Sequence, residues 1–306
     1  MQTTKSILLI KPAQFGYNSE TAISNAFQKN IEDNQENTVQ VAIAEFDAMV
    51  EKLKNSGIDV TVINDTKFPI KPDAVFPNNW VSFHADGTVV LYPMLAKNRR
   101  LERRQDILDA LAENYEIKHI IDLSDHEQKG VFLEGTGSII FDRIHKNAFA
   151  CISPRTDKHL FEKVSKLLGY APISFHSADE NNGDIYHTNV MMTIGNGFAV
   201  VCLESITNAI ERQQLMDVLE NTGHAIVDIN YQQMNAFCGN MLELKRPNQK
   251  NILAMSNSAF DALTLAQRKA LEEFCTLFPI NIPTIENIGG GSVRCMIAEN
   301  FLPQRS

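Results

Sequence analysis

Basic charge is scarce in this 306-residue chain: 28 Lys and Arg stand against 37 Asp and Glu, a net charge of −9. Nucleic-acid phosphates need a dense basic face, so such a partner is not expected. Paired cysteines are missing too. Cys151, Cys202, Cys238, Cys275 and Cys295 are odd in number, scattered, and include no CxxC pair, which points to neither a disulfide framework nor a zinc cage. No apolar stretch approaches a membrane span, and the early run Ile7 to Ile10 stops at Lys11 and Pro12, too short for the apolar region of a signal. A cytoplasmic protein without membrane contact is expected. No Pro/Ser-rich linker or low-complexity tract divides the chain, so residues 1–306 read as a single catalytic domain. The 44% hydrophobic and 21% charged content suits a well-packed core.

What is present is a repeat. "EFDAMVEKLKNSG" places Phe46, Met49, Val50 and Leu53 on one helical face, and "DKHLFEKVSKLLGY" does the same with Leu160, Phe161, Val164, Leu167 and Leu168. Comparable helices are predicted in "RRLERRQDILDALAENY", "ITNAIERQQLMDVLENTG" and "LTLAQRKALEEF", where Thr264 and Gln267 have the spacing of a capping box. Each helix runs into a short apolar strand, and most follow a β-rich segment such as "TVVLYPM", "AFACISPR", "FAVVCLES" or "NILAMS". The unit is strand, strand, helix, strand. Five copies that cannot each bury an apolar face alone are expected to stack or close into a ring.

One position recurs in the segments that open these units, "VFPNNWVSF", "FLEGTGSIIF", "IYHTNVMMTIG", "FCGNMLEL" and "GGGSVRCMIAE". It holds Asn79, Glu134, His187, Asn240 and Cys295, at intervals of 55, 53, 53 and 55 residues. Taken singly these residues are ordinary: free cysteine is usually buried, a histidine beside Tyr186 is usually structural, and asparagines favour turns. Glu134 is odder, because a carboxylate between Leu133 and Gly135 is expensive to bury unless it is paired. Together, an acid, an imidazole and a thiol are the equipment of nucleophilic catalysis. The triple glycine before Cys295 reads as a hinge that delivers it. Neither "EGTGS" nor "IGGGS" completes GxGxxG between a strand and a helix, so no dinucleotide is expected.

With "FPNNW", "YPM", "LEGTGS", "YHTNVMM" and "GGGSVRCMIAE" in order over nearly the whole chain, the sequence resembles the amidinotransferase or pentein superfamily. Its members are five-bladed pseudo-symmetric α/β propellers, built from ββαβ units, that act on guanidino or ureido groups. The chain looks most like the citrulline-utilisation-type hydrolases of that group. The resemblance implies Cys295 as nucleophile, His187 as general acid/base and Glu134 as the acidic third member, with no metal or organic cofactor. "PDAVFPNN" is similar to the segment by which dimethylarginine hydrolases hold an α-amino group, which implies that role for Asp73. "NRRLE" and "SPRT" look like their carboxylate-binding segments, implying Arg99 and Arg155. Asp73 after Pro72 also suits a turn, and the basic run from Arg99 also suits a solvated helix start.

Where arginine deiminases carry two acids, this chain has Asn79 and Asn189. A guanidinium is best held by paired carboxylates, whereas asparagine can both donate to and accept from a neutral ureido group. The expected reaction is therefore cysteine-dependent hydrolysis of a ureido or guanidino amino acid, citrulline first. Arginine deimination, amidino transfer and a non-catalytic binding role remain as alternatives. The expected partner is a small amino-acid substrate, and the expected assembly is a homodimer.

Overall fold

The computed structural model describes residues 1–30 and 35–305. Along the chain come β1 (Ser6–Lys11) and β2 (Asp59–Asn64), then β3 (Val81–Phe83), β4 (Thr88–Leu91) and β5 (His119–Asp122). Next are β6 (Ile140–Asp142), β7 (Asn147–Cys151) and β8 (Ala171–Phe175), followed by β9 (Met192–Ile194), β10 (Phe198–Val201) and β11 (Ala225–Asp228). Last are β12 (Leu242–Leu244), β13 (Ile252–Ser256), β14 (Thr276–Ile280) and β15 (Ala298–Glu299).

These strands form five three-stranded sheets of one design: β15-β1-β2, β3-β4-β5, β6-β7-β8, β9-β10-β11 and β12-β13-β14. In each, the central strand pairs antiparallel with the first and parallel with the last. The parallel pair needs a crossover, and a helix supplies it in every sheet. The five crossover helices are Gln35–Asn55, Gln105–Ala112, Lys158–Leu167, Ala209–Asn221 and Leu265–Phe274. Four of the ββαβ units are continuous in sequence. The fifth is split: β15, near the C-terminus, lies against β1 with Ile7 opposite Glu299 and Leu8 opposite Ala298. That is why Cys295 stands so late in the chain; it precedes the opening strand of the sheet whose other strands lie at the N-terminus.

Central strands read as continuous apolar runs because both of their faces are covered. The residues of β7 from Ala148 and all of β10 and β13 are buried, whereas β2, β5 and β11 are half-exposed edges. Helix Lys158–Leu167 begins at Asp157, whose carboxylate accepts the Leu160 N–H at 2.8 Å, and buries Leu160, Phe161 and Val164. Each such side chain contributes about 1.5–3 kcal/mol of transfer free energy. The expected capping box is present, with Thr264 and Gln267 each satisfying the other's backbone N–H.

By backbone contacts the chain falls into two compact units. One comprises Met1–Thr3, Gly137–Asn281 and Ser292–Arg294, with three of the sheets; the other comprises Thr4–Thr136, Ile282–Gly291 and the segment from Cys295 on, with β15-β1-β2 and β3-β4-β5. In the latter, Leu8, Trp80, Phe83, Val89, Ile107, Leu111 and Ala298 belong to one core. No helix among the described residues is long and apolar enough to cross a membrane.

Candidate active site

The recurring polar residues do not lie on strands. Each stands in a short turn or helical segment just before the antiparallel strand of its sheet. Asn79 ends the 3-10 turn Pro77–Asn79, Glu134 precedes the helical turn Gly135–Ser138, and His187 caps the turn Thr188–Met191. Asn240 follows the turn 236–239 ahead of β12, and Cys295 lies in the turn 293–296 ahead of β15. All five are buried, with Cys295 5% and His187 2% exposed.

In the unit that holds β3-β4-β5, three of the expected residues, Asp73, Asn79 and Glu134, gather around a fourth, Arg99. The Arg99 guanidinium donates through Nε (2.9 Å) and Nη2 (2.8 Å) to the two oxygens of Glu102, a fork three residues along one 3-10 turn. Nη1 donates to Asn79 Oδ1 at 2.7 Å, and Nη2 also donates to the Phe76 carbonyl at 3.0 Å. Asp73 lies 3.8 Å from Nε and accepts from Asn18 Nδ2 at 2.8 Å and Thr21 Oγ1 at 3.1 Å. Glu134 Oε1 accepts the Leu95 N–H at 2.9 Å. Asp73, Glu102 and Glu134 all act electrostatically on Arg99. Burial pushes the Glu102 carboxyl up to about 7; Arg99 opposes this, and Asp73 and Glu134 add to it.

Arg99, expected on a substrate carboxylate, is thus engaged by Glu102, Asn79 and Phe76. Because a guanidinium only donates, its bond to Oδ1 fixes the Asn79 amide. The Nδ2 group is then a buried donor with no protein acceptor among the described residues. Asn78 next to it has neither amide atom bonded.

Gly135 explains how Glu134 comes beside this group. At φ +48°, its backbone packs on the Asn78–Asn79 carbonyls, and a Cβ there would meet Asn78 O at 2.3 Å. The three glycines before Cys295 are packed rather than loose. Cβ atoms at Gly289 and Gly291 would lie 2.8 and 2.9 Å from the Phe76 ring, and Gly290, at φ +65°, faces the Gln28 backbone and Asn25. They form a tight bed for the cysteine turn, so the hinge expectation is corrected.

The other unit holds His187, Asn189, Arg155 and Asn240. The Arg155 guanidinium carbon lies 4.8 Å from the Tyr186 ring centre, and that ring is 4.7 Å from the His187 ring. Asn240 Nδ2 donates to the Asn189 carbonyl at 2.9 Å. Thr188 Oγ1 donates to Ser138 O at 2.6 Å and accepts the Cys151 N–H at 2.8 Å, fastening the turn that carries His187.

The remaining cysteines are poor nucleophiles. Burial pushes the Cys151 and Cys275 thiols up to about 12 and Cys202 up to about 11. Cys238 donates to the Ala259 carbonyl.

Sequence reasoning did not single out Asn18, Thr21, Asn78 or Glu102. Only Glu102 left a signal, standing three residues after Arg99 in "NRRLE".

A family model described as "N,N dimethylarginine dimethylhydrolase, eukaryotic" matches residues 11–302. The chain belongs to this family. That family is one of the pentein-superfamily arginine and dimethylarginine hydrolases. The pentein fold is also that of solved structures. Apo ArgZ, a cyanobacterial arginine dihydrolase of the ornithine-ammonia cycle, superposes with a TM-score of 0.73 at 18% identity, over 97% of this chain and 41% of that one. The N-terminal domain of ArgZ bound to product gives 0.71 at 19% identity, over 97% of this chain and 99% of that domain. A dimethylarginine dimethylaminohydrolase adduct with S-methyl-L-thiocitrulline gives 0.65 at 14% identity, over 98% and 100%. The family member described here therefore spans less than half of full-length ArgZ. No curated protein sequence matches it.

Proposed function

We propose that this family member is a thiol hydrolase of the guanidino group of arginine, its two units working as one catalytic domain whose five sheets close into a propeller. Cys295 is the nucleophile, His187 the proton carrier and Glu134 the carboxylate that holds the reacting group. Asp73 takes the α-ammonium and Arg155 the α-carboxylate, while Arg99, already forked to Glu102, orients Asn79.

One observation carries the choice of arginine. Three buried carboxylates, those of Asp73, Glu102 and Glu134, act together on one buried cation, Arg99, so negative charge predominates in the cluster. Buried charges demand partners. Arginine brings an ammonium and a guanidinium, whereas citrulline brings the ammonium alone. A second reading, citrulline, is favoured by the Asn79 Nδ2 donor, which suits a ureido oxygen.

In the reaction the Cys295 thiolate adds to the guanidinium carbon. His187 gives a proton to one terminal nitrogen, which leaves as ammonia, and a thiouronium remains on the sulfur. Water activated by the same imidazole adds to that carbon, the C–S bond breaks, and citrulline departs. A second passage of the ureido group through the same steps would release ornithine, carbon dioxide and another ammonia.

Steady-state turnover of arginine, citrulline and dimethylarginines, with ammonia, citrulline and ornithine all quantified, tests this. Arginine is expected to exceed citrulline by at least about tenfold in kcat/KM, about 1.4 kcal/mol. The reverse ratio returns the substrate to the ureido class. No turnover, together with a Cys295 inert toward iodoacetamide, would leave a binding protein on a catalytic fold.

A further inference from the structure

Within the three-sheet unit, the turn between β6 and β7 and the segment leading into β11 bring Asp142, His145 and His224 together. Each offers one ligand atom, and all three atoms lie within 4.8 Å of one another. Asp142, the buried last residue of β6, accepts the His145 backbone N–H at 3.0 Å, and its two oxygens lie 3.1 and 2.9 Å from His145 Nδ1. Among the described residues the Asp142 carboxylate bonds to His145 alone. His224 is buried, and its ring stands edge-on to that of His145, 5.4 Å between centres. Two imidazoles and a carboxylate are a donor set suited to zinc and its neighbours in the first transition row.

A second observation concerns the tautomer of His224. Thr222 Oγ1 lies 2.8 Å from the Val218 carbonyl, 3.0 Å from the Leu219 carbonyl and 2.9 Å from His224 Nδ1. Carbonyls only accept, so the single hydroxyl proton goes to them and the hydroxyl oxygen receives Nδ1–H from His224. Nε2 is then the bare lone pair. Burial holds the ring toward its neutral form, Asp142 opposing and His145 assisting. A histidine whose second nitrogen donates to a fixed outer partner is the usual arrangement of a metal ligand.

The distances can close. Zn–N and Zn–O bonds near 2.0–2.1 Å with tetrahedral angles put ligand atoms about 3.4 Å apart. Asp142 and His145 are already nearer than that, and the widest pair must shorten by about 1.4 Å, within the swing of the His145 side chain, 37% exposed. Two cations flank the turn, each over an aromatic ring: Arg143 on Phe141 at 5.2 Å and Lys146 on Tyr170 at 4.8 Å. They weaken any cation site, so micromolar rather than picomolar binding is expected.

We propose that Asp142, His145 and His224 form a binding site for a divalent transition-metal ion of the zinc type, water completing the tetrahedron, which ties the β6–β7 turn to the start of β11 independently of C–N hydrolysis. On binding, the His145 proton moves through solvent from Nδ1 to Nε2, and the Nδ1 lone pair goes to the metal.

The test uses the full chain carrying Cys295→Ser, so that no reactive thiol competes, dialysed against chelator and titrated with Co2+. One equivalent should bind with Kd below about 100 µM and give visible absorption of tetrahedral intensity with no sulfur charge-transfer band. Zn2+ at a hundredfold over Kd should raise Tm by about 5 °C. His224→Ala and His145→Ala should each lose at least tenfold in affinity, and His145→Ala in the otherwise native chain should leave arginine turnover unchanged. If His224→Ala does not fold, the exposed His145 carries the comparison. Weaker binding than 100 µM, an unchanged affinity in His145→Ala, or a spectrum dominated by sulfur charge transfer would overturn the site.

Discussion

Glu102→Gln isolates the electrostatic strain of the Arg99 cluster. Burial moves the Glu102 carboxyl from its ordinary 4.5 up to about 7 in the folded protein. A carboxyl whose folded value lies above its unfolded one binds more protons when folded. Its stabilising contribution is therefore complete below pH 4.5 and is lost as pH rises through 7. At about 1.4 kcal/mol for each pKa unit the full difference is about 3 kcal/mol, of which about 2–3 kcal/mol falls between pH 5 and pH 8. Glutamine keeps an acceptor for Arg99 but does not titrate. Measured by urea unfolding of both proteins at the two pH values, the wild type should lose about 2–3 kcal/mol relative to Glu102→Gln on going from pH 5 to pH 8. With m near 2–3 kcal/mol/M this is about 1 M in midpoint. A difference that stays constant to within about 0.5 kcal/mol would refute the reasoning. It would mean that the Arg99 fork holds Glu102 ionised throughout.

Cys295→Ser should lower kcat by at least about a thousandfold with Tm unchanged, measured by ammonia release and calorimetry. Gly135→Ala forces a side chain onto the Asn78 carbonyl and should cost about 3 kcal/mol or more in chemical denaturation, against about 1 kcal/mol for Gly57→Ala, whose φ is +91° but which faces open space. Thr188→Val strands the Ser138 carbonyl and the Cys151 N–H and should destabilise by about 2–4 kcal/mol. Phe46→Ala, fully buried on its helix, should cost about 3–5 kcal/mol, whereas Ile210→Ala, 70% exposed, should stay within about 0.5 kcal/mol.

The repeat was legible because its parts obey local rules. Val89, Phe149, Val200 and Leu253 lie in short apolar runs that only a strand covered on both faces can hold, and each helix carries its own apolar stripe. The split unit was harder to see: β15 is two residues long, too short for any period, and its partner β1 lies nearly the whole chain away. The polar spacing was legible as a coincidence of number, but its backbone setting was not. Residues next to short strands read as strand, and the turns holding Asn79, Glu134 and His187 are fixed by tertiary contacts such as Gly135 on Asn78, which leave no local signature.

If the substrate is arginine, as proposed, a reading of Asn79 and Asn189 alone misses the sum of buried charge around them. Asn79 and Asn189, standing where related deiminases carry acids, suggest that negative charge has been removed and a neutral ureido group is wanted. That inference weighs two positions, whereas a pocket responds to the sum of its buried charges. In the folded chain Arg99 forks to Glu102, three residues on, and is shared with Asp73 at 3.8 Å and with Glu134, so one guanidinium answers three acids. On the proposed arginine reading, the acids absent at Asn79 and Asn189 are supplied from Asp73 and Glu134. Removing the fork makes this testable in the opposite sense. In Glu102→Gln, Arg99 is left to neutralise Asp73 or Glu134, so arginine should lose affinity, with KM rising by about tenfold or more, while citrulline, which brings one fewer positive charge, should lose less. Equal losses for the two substrates would mean that charge summation does not select between them, and the choice would fall back on the Asn79 amide.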